Sequence, residues 1–75
     1  MFSLVVSDEY AGKTLFEMIS IFRDSDCLKQ KLGHEYTETS CIVTLDGEII
    51  VYTSFDSIKL NAGQLIKIFP LTSGG

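Results

Sequence analysis

Short apolar runs separated by turn residues recur along most of the chain. Residues 2–7 are rich in β-forming side chains, and residues 64–69 form an apolar run that predicts the last strand. Two further apolar runs, residues 41–45 and 48–51, are separated by Asp46-Gly47. Asp-Gly between two apolar runs is a strong hairpin signal, so we predict an antiparallel pair here.

The stretch 14–22 fits two interpretations. Thr14 and Glu17 have the spacing of a helix capping box. Apolar side chains also recur at helical spacing, at Leu15, Met18, Ile19 and Phe22. Residues 19–22, however, have strand-like composition, and a single N-terminal strand would have no obvious partner. We therefore predict that 14–22 is a second strand, forming a hairpin with the first.

A short helix is predicted after this stretch. The segment Asp24-Ser25-Asp26 offers N-caps, and Leu28 and Leu32 are spaced one helical turn apart. Gly33 follows the last turn, at the position that commonly ends a helix in the left-handed conformation. The order strand, strand, helix, strand, strand, loop, strand predicts an α+β fold: one mixed sheet of four to five strands with one main helix across a single face.

Composition narrows the functional classes. The chain has 75 residues, enough for one domain, and a net charge of −4 with Arg23 as its single arginine, which argues against nucleic-acid binding. No apolar run is long enough to span a membrane, and residues 1–4 lack the charged start of a signal peptide, so we expect a cytosolic protein without a membrane partner. In the cytosol Cys27 and Cys41 should stay reduced, and two cysteines do not make a metal site.

The C-terminal half resembles a known family. The residues that carry the resemblance are Leu45-Asp46-Gly47-Glu48-Ile49-Ile50, Phe55, Leu60, Ala62-Gly63, Leu65-Ile66-Lys67-Ile68 and the end Phe69-Pro70-Leu71-Thr72-Ser73-Gly74-Gly75. Together they resemble the ThiS/MoaD family of ubiquitin-like sulfur carriers, from about Leu28 to Gly75. The resemblance implies a β-grasp domain over residues 1–71 and a flexible Gly-Gly tail over residues 72–75.

In this family the terminal carboxylate is the reactive group, which here implies Gly75. A partner enzyme of the E1-like ThiF/MoeB type adenylates it with ATP and Mg²⁺, and a sulfur donor converts the adenylate to a thiocarboxylate. A synthase then accepts the sulfur. Gly74 and Gly75 have no Cβ, so such a tail can pass a narrow channel. The resemblance therefore implies a carrier, monomeric when free, that binds no cofactor and is not itself an enzyme.

Two subfamilies, which deliver sulfur to different products, are candidates. Gapless spacing in the last 30 or so residues favours thiamin (thiazole) biosynthesis, while Phe69-Pro70 favours the molybdopterin-synthase small subunit. A ubiquitin-like protein modifier is a further alternative, as is a non-catalytic interaction module whose tail undergoes no reaction.

Strand alternation predicts a docking surface beside the tail. Ile66 and Ile68 should point into the core, leaving Lys67 in solvent with Leu65 and Phe69 on its face. Alternatively, Phe69 folds over an edge of the core. The predicted partner-binding residues are Leu65, Lys67, Phe69, Leu71 and Ser73.

Overall fold

A computed structural model describes residues 1–71, and its secondary structure is α+β. In chain order the elements are β1 (Phe2–Val5), α1 (Leu15–Asp24), α2 (Cys27–Leu32), β2 (Cys41–Leu45), β3 (Glu48–Ile50), a 3-10 helix (Tyr52–Ser57) and β4 (Leu65–Pro70). The four strands form one sheet in the order β1-β4-β2-β3, so the last strand lies inside the sheet between β1 and β2.

All strand pairs within residues 1–71 are antiparallel, so the prediction of a mixed sheet was wrong. A mixed sheet requires one parallel pair, and none forms in this part of the chain. β1 pairs with β4 from Phe2 opposite Ile68 to Val5 opposite Leu65. This register places Phe2 and Ile68 side by side in the core. A shift by one residue would turn both side chains to the other face of the sheet, so their burial fixes the register.

The stretch 14–22 is helical, so the predicted N-terminal hairpin was also wrong. The capping box is complete: the amide of Glu17 donates to Thr14 Oγ1 at 3.1 Å, and the amide of Thr14 donates to Glu17 Oε1 at 2.9 Å. α1 then buries three of the four side chains that recur at helical spacing, Leu15, Met18 and Ile19, while Phe22 packs against the core and stays partly exposed. Helical periodicity with a satisfied cap outweighs the weak strand preference of residues 19–22. Residues 1–71 therefore contain two α-helices instead of the one main helix predicted.

The capping box also fixes the charge state of its carboxylate. Hydrogen bonds from the Thr14 backbone and side chain lower the pKa of Glu17. A carboxyl whose pKa is lower in the folded protein stabilises the fold above its unfolded-state pKa. This contribution is lost as the pH falls through the lowered value, so the start of α1 weakens only under acidic conditions.

The predicted hairpin and the short second helix are confirmed. Asp46 and Gly47 both have positive φ, 50° and 86°, as a two-residue type I′ turn requires, and they join β2 to β3. α2 ends at Gly33, whose φ is 83° and whose amide donates to the carbonyl of Lys29. The predicted N-cap does not form, because Asp26 adopts a left-handed conformation and its side chain makes no capping hydrogen bond.

One hydrophobic core lies between the sheet and the helices. Both helices contribute, with Leu15 and Leu28 fully buried, and the sheet contributes alternate residues of its central strands. Phe55 and Leu60 are buried in it, and Ile58 packs against the core while partly exposed. Since both helices pack on the same side, the other face of the sheet carries no described element.

Candidate functional site

β4 divides its side chains between the core and the opposite face of the sheet, as predicted. Ile66 and Ile68 are each 1% exposed. Leu65, Lys67 and Phe69 alternate with them and are partly exposed. Phe69 is therefore half-buried on the outer surface of the sheet and does not belong to the core cluster.

The last described residue continues the path of β4. The amide of Leu71 donates to the carbonyl of Ser40 at 2.8 Å, one residue before β2 begins, and its side chain is 50% exposed. Three of the predicted site residues, Ser73, Gly74 and Gly75, lie outside the described residues. The described part of the chain therefore ends beside the start of β2, directly after a central strand.

Neighbouring strands extend the face of Lys67 into a broad surface whose side chains are mostly apolar. Phe69 lies opposite Ile42, and Leu65 lies opposite Val5. We call this surface the outer sheet face; its strand residues are Ser3, Val5, Ile42, Thr44, Ile49, Leu65, Lys67 and Phe69. Leu71 follows on the same face by alternation, as do Met1 and Val51 at the strand ends.

Most of the exposed bulky apolar side chains lie on this face. Eight such side chains occur among residues 1–71, and five belong to the outer sheet face: Met1, Val5, Ile49, Val51 and Leu71. Ile49 is 67% exposed on β3 and Val5 is 59% exposed on β1, the two edge strands of the sheet. Apolar side chains scattered singly need no explanation, but a contiguous apolar patch marks an interaction surface.

A single charge lies within this apolar surface. Lys67 is the one ionisable residue among the strand residues of the face, where it lies between Ser3 on β1 and Thr44 on β2. The salt bridge found within residues 1–71 joins Arg23 to Asp24, so Lys67 has no acidic partner in this part of the chain. An unpaired cation among apolar side chains favours a carboxylate on any protein that binds such a surface.

Asp46 has a structural role that the sequence did not predict. Its Oδ1 accepts a hydrogen bond from the amide of Leu65 at 2.8 Å, and its own amide donates to the carbonyl of Leu65 at 2.8 Å. The hairpin turn is thereby joined to the first residue of β4. An Asp before Gly signals a turn, but its second role is visible only once β4 lies beside β2.

The remaining reactive side chains do not converge on a site. Among residues 1–71 no group of three His, Cys, Asp or Glu side chains could hold a metal ion. Cys41 is buried and Cys27 is half-buried, and both are free thiols. Burial raises the pKa of Tyr36 to about 12, so its hydroxyl stays protonated at neutral pH. His34 lies in an exposed loop, with Nδ1 2.9 Å from the carbonyl of Glu35.

Across residues 1–71, neither α-helix has the length and apolar character needed to cross a bilayer.

Comparisons with protein-family models, with curated proteins and with solved structures gave no significant match to this chain.

Proposed function

We propose that this protein is a sulfur carrier whose C-terminal glycine, Gly75, is activated by a partner enzyme for thiamin (thiazole) biosynthesis. The carboxylate attacks the α-phosphate of ATP, which forms an acyl-adenylate and releases pyrophosphate. A sulfur nucleophile then attacks the acyl carbon and AMP leaves. When the nucleophile is a persulfide, a thiol then reduces the S–S bond of the resulting acyl disulfide, which leaves a thiocarboxylate on Gly75 and a disulfide between that thiol and the donor. The partner supplies ATP chemistry, because a carboxylate is a poor electrophile until it is part of a mixed anhydride.

The observation that carries this proposal is the outer sheet face. A carrier has to present its terminus to several enzymes, so it needs a surface that those enzymes can bind. The face surrounds β4, the strand that leads directly to the tail, and its apolar side chains flank one cation, Lys67. Apolar surface with a few charges that set orientation is the usual composition of a protein interface.

The position of β4 favours delivery of a terminus. β4 is hydrogen-bonded on both sides, to β1 and to β2, so its end is fixed relative to the outer sheet face. Four residues follow Leu71, and an extended chain of that length reaches at most roughly 14 Å. A partner that binds the outer sheet face could therefore take Gly75 into a site close to that face.

A β-grasp fold is part of the proposal. Support comes from the helices packed across one face of the sheet and from the central position of the last strand. The antiparallel pairing of β1 with β4 departs from the mixed sheet that the resemblance implies.

The molybdopterin-synthase small subunit is a second candidate, and one observation favours it. Phe69 and Pro70, the residues on which the resemblance to that subfamily depends, are the last two residues of β4. A ubiquitin-like modifier would use the same carboxylate in an isopeptide bond. Higher-mass conjugates on a denaturing gel, lost when Gly75 is deleted, would identify a modifier.

Replacing Phe69 by serine tests the docking face. We expect Phe69→Ser to raise the KM for this protein in adenylation about tenfold or more, because truncating a central aromatic contact typically costs over 1 kcal/mol of binding. The readout is ATP–pyrophosphate exchange catalysed by the E1-like adenylating enzyme of the same organism. The melting temperature should fall much less than for a core substitution, since Phe69 is outside the core cluster.

A matched control is Ile21→Ser. Ile21 is 40% exposed on α1, away from the outer sheet face, so the variant loses an apolar surface side chain elsewhere. Equal KM values for the two variants would contradict the proposal that the partner enzyme binds the outer sheet face. If Phe69→Ser unfolds the protein, Lys67→Glu provides the test: it reverses the charge at the centre of the face and should also raise the KM.

A further inference from the structure

A groove lies at the edge of the molecule, between α1 and the 3-10 helix. We call it the edge groove; its lining residues are Phe16, Glu38, Tyr52, Thr53, Phe55 and Asp56, and it encloses about 240 Å³. A second pocket of about 230 Å³ adjoins it towards β3 and shares Glu38, Tyr52 and Phe55 with it. The groove is thus distinct from the part of the outer sheet face formed by β1 and β4.

Two exposed aromatic rings line the edge groove over a buried one. Phe16 is 50% exposed and Tyr52 is 51% exposed, whereas Phe55 is 4% exposed. Apart from the outer sheet face, residues 1–71 expose three bulky apolar side chains, and Phe16 and Tyr52 are two of them. Their meeting in one groove therefore concentrates the apolar surface that remains on this side of the protein.

The charge of the edge groove is entirely acidic. Glu38 and Asp56 line it, and no Lys or Arg lines this groove or the adjoining pocket. The salt bridge within residues 1–71 joins Arg23 to Asp24, so no neighbouring base neutralises either carboxylate. An aromatic groove bounded by carboxylates complements a cation, since ring faces and carboxylates both attract positive charge.

We propose that the edge groove binds a lysine or arginine side chain presented by a protein partner. The cation would lie over the faces of Phe16 and Tyr52, with Glu38 and Asp56 as its counter-charges, while its aliphatic stem contacts the apolar lining. The edge groove therefore favours a positively charged group on its partner, whereas Lys67 on the outer sheet face favours a carboxylate. The protein would thus offer two surfaces of different chemistry, and the second does not depend on activation of Gly75.

The tail of this chain is a poorer occupant. The last four residues, Thr72 to Gly75, contain no base, and a free terminal carboxylate would meet Glu38 and Asp56 as like charges. A second copy of the chain is disfavoured by its net charge of −4. A basic partner is therefore the occupant that charge complementarity selects.

NMR titration of the ¹⁵N-labelled protein provides the test. The probe is a capped tripeptide Leu-Arg-Leu, and the control is the capped peptide Leu-Gln-Leu, which keeps the apolar residues and removes the charge. We expect saturable shifts at the amides of Phe16, Tyr52 and Thr53, with binding of the arginine peptide about tenfold tighter. Equal binding of the two peptides, or shifts centred on the outer sheet face, would overturn the proposal.

Paired variants separate the groove from general electrostatics. The double substitution Glu38→Gln with Asp56→Asn should abolish the preference for arginine. Asp8→Asn with Glu35→Gln removes the same number of exposed carboxylates outside the groove, so it should leave the preference intact. A similar loss in both double variants would show attraction to overall charge alone and would contradict a defined site.

Discussion

Ile68→Ala is expected to lower the free energy of unfolding by about 3 kcal/mol, within the range measured for truncating buried isoleucine. Ile68 is 1% exposed on β4, where it lies between Phe2 of β1 and Val43 of β2. The substitution leaves a cavity where the sheet meets the helices. A domain of 75 residues has a total stability of roughly 4–11 kcal/mol, so the loss is a large part of it.

Thermal denaturation monitored by circular dichroism measures this effect. A loss of about 3 kcal/mol corresponds to a fall in Tm of roughly 12–24 °C in a domain of this size. Ile49→Ala is a matched control, because it makes the same chemical change on the outer sheet face, where Ile49 is 67% exposed. Its expected cost is below about 1 kcal/mol, the span of strand preferences. Equal falls in Tm would mean that the two faces of the sheet are wrongly assigned.

Deleting Gly75 is expected to reduce adenylation by about a hundredfold or more. The deletion leaves a glycine carboxylate at Gly74 but shortens the reach of the tail by about 3.5 Å. Displacing a reacting group by even about 1 Å can cost a hundredfold in rate. ATP–pyrophosphate exchange by the E1-like partner is the measurement, with each variant present at the same concentration.

Thr72→Ser is the control for this deletion. It alters the tail without changing its length, so it should adenylate at nearly the rate of the unmodified protein. Both variants should retain the melting temperature, because the changes lie beyond the core-forming residues 1–71. Adenylation that is unaffected by the deletion would contradict the requirement for a tail that reaches to Gly75.

Local signals were predictable from the sequence wherever one interaction dominates. Asp46-Gly47 predicted the hairpin because the turn requires positive φ at both residues. Gly33 predicted the end of α2 for the same conformational reason. The orientation of Ile66 and Ile68 into the core followed from strand alternation, because β4 is a central strand and one of its faces is fully covered.

The errors arose where local preference and tertiary pairing compete. In residues 14–22 a strand-like run overlaps a helical pattern. The two capping-box hydrogen bonds between Thr14 and Glu17 favour the helix. The direction of β1 relative to β4 is a nonlocal property, so the sequence alone could not distinguish an antiparallel from a parallel pair. The mixed-sheet prediction depended on that undetermined direction.

The candidate surfaces were only partly predictable. Alternation along β4 identified Leu65, Lys67 and Phe69, but Val5 and Ile49 join them through strand pairing across the sheet. Phe16 and Tyr52 are 36 positions apart in the chain, and neither belongs to a recognisable motif. Their meeting in the edge groove depends on the packing of α1 against the 3-10 helix.

Conversion of Gly75 to a thiocarboxylate can be detected by mass spectrometry of the protein isolated from its own sulfur-replete cells. Exchange of one oxygen for sulfur has nearly the same mass as oxidation of methionine or cysteine, and the chain has two of each. Fragmentation must therefore localise the change, and alkylation of the denatured protein must count its thiols.

We expect a chain ending at Gly75, with the added mass confined to that residue and three alkylated sulfur atoms: those of Cys27, Cys41 and the thiocarboxylate. A terminal fragment of unmodified Gly75 with two alkylated thiols, in cells that are making the sulfur-containing product, would contradict the proposed function.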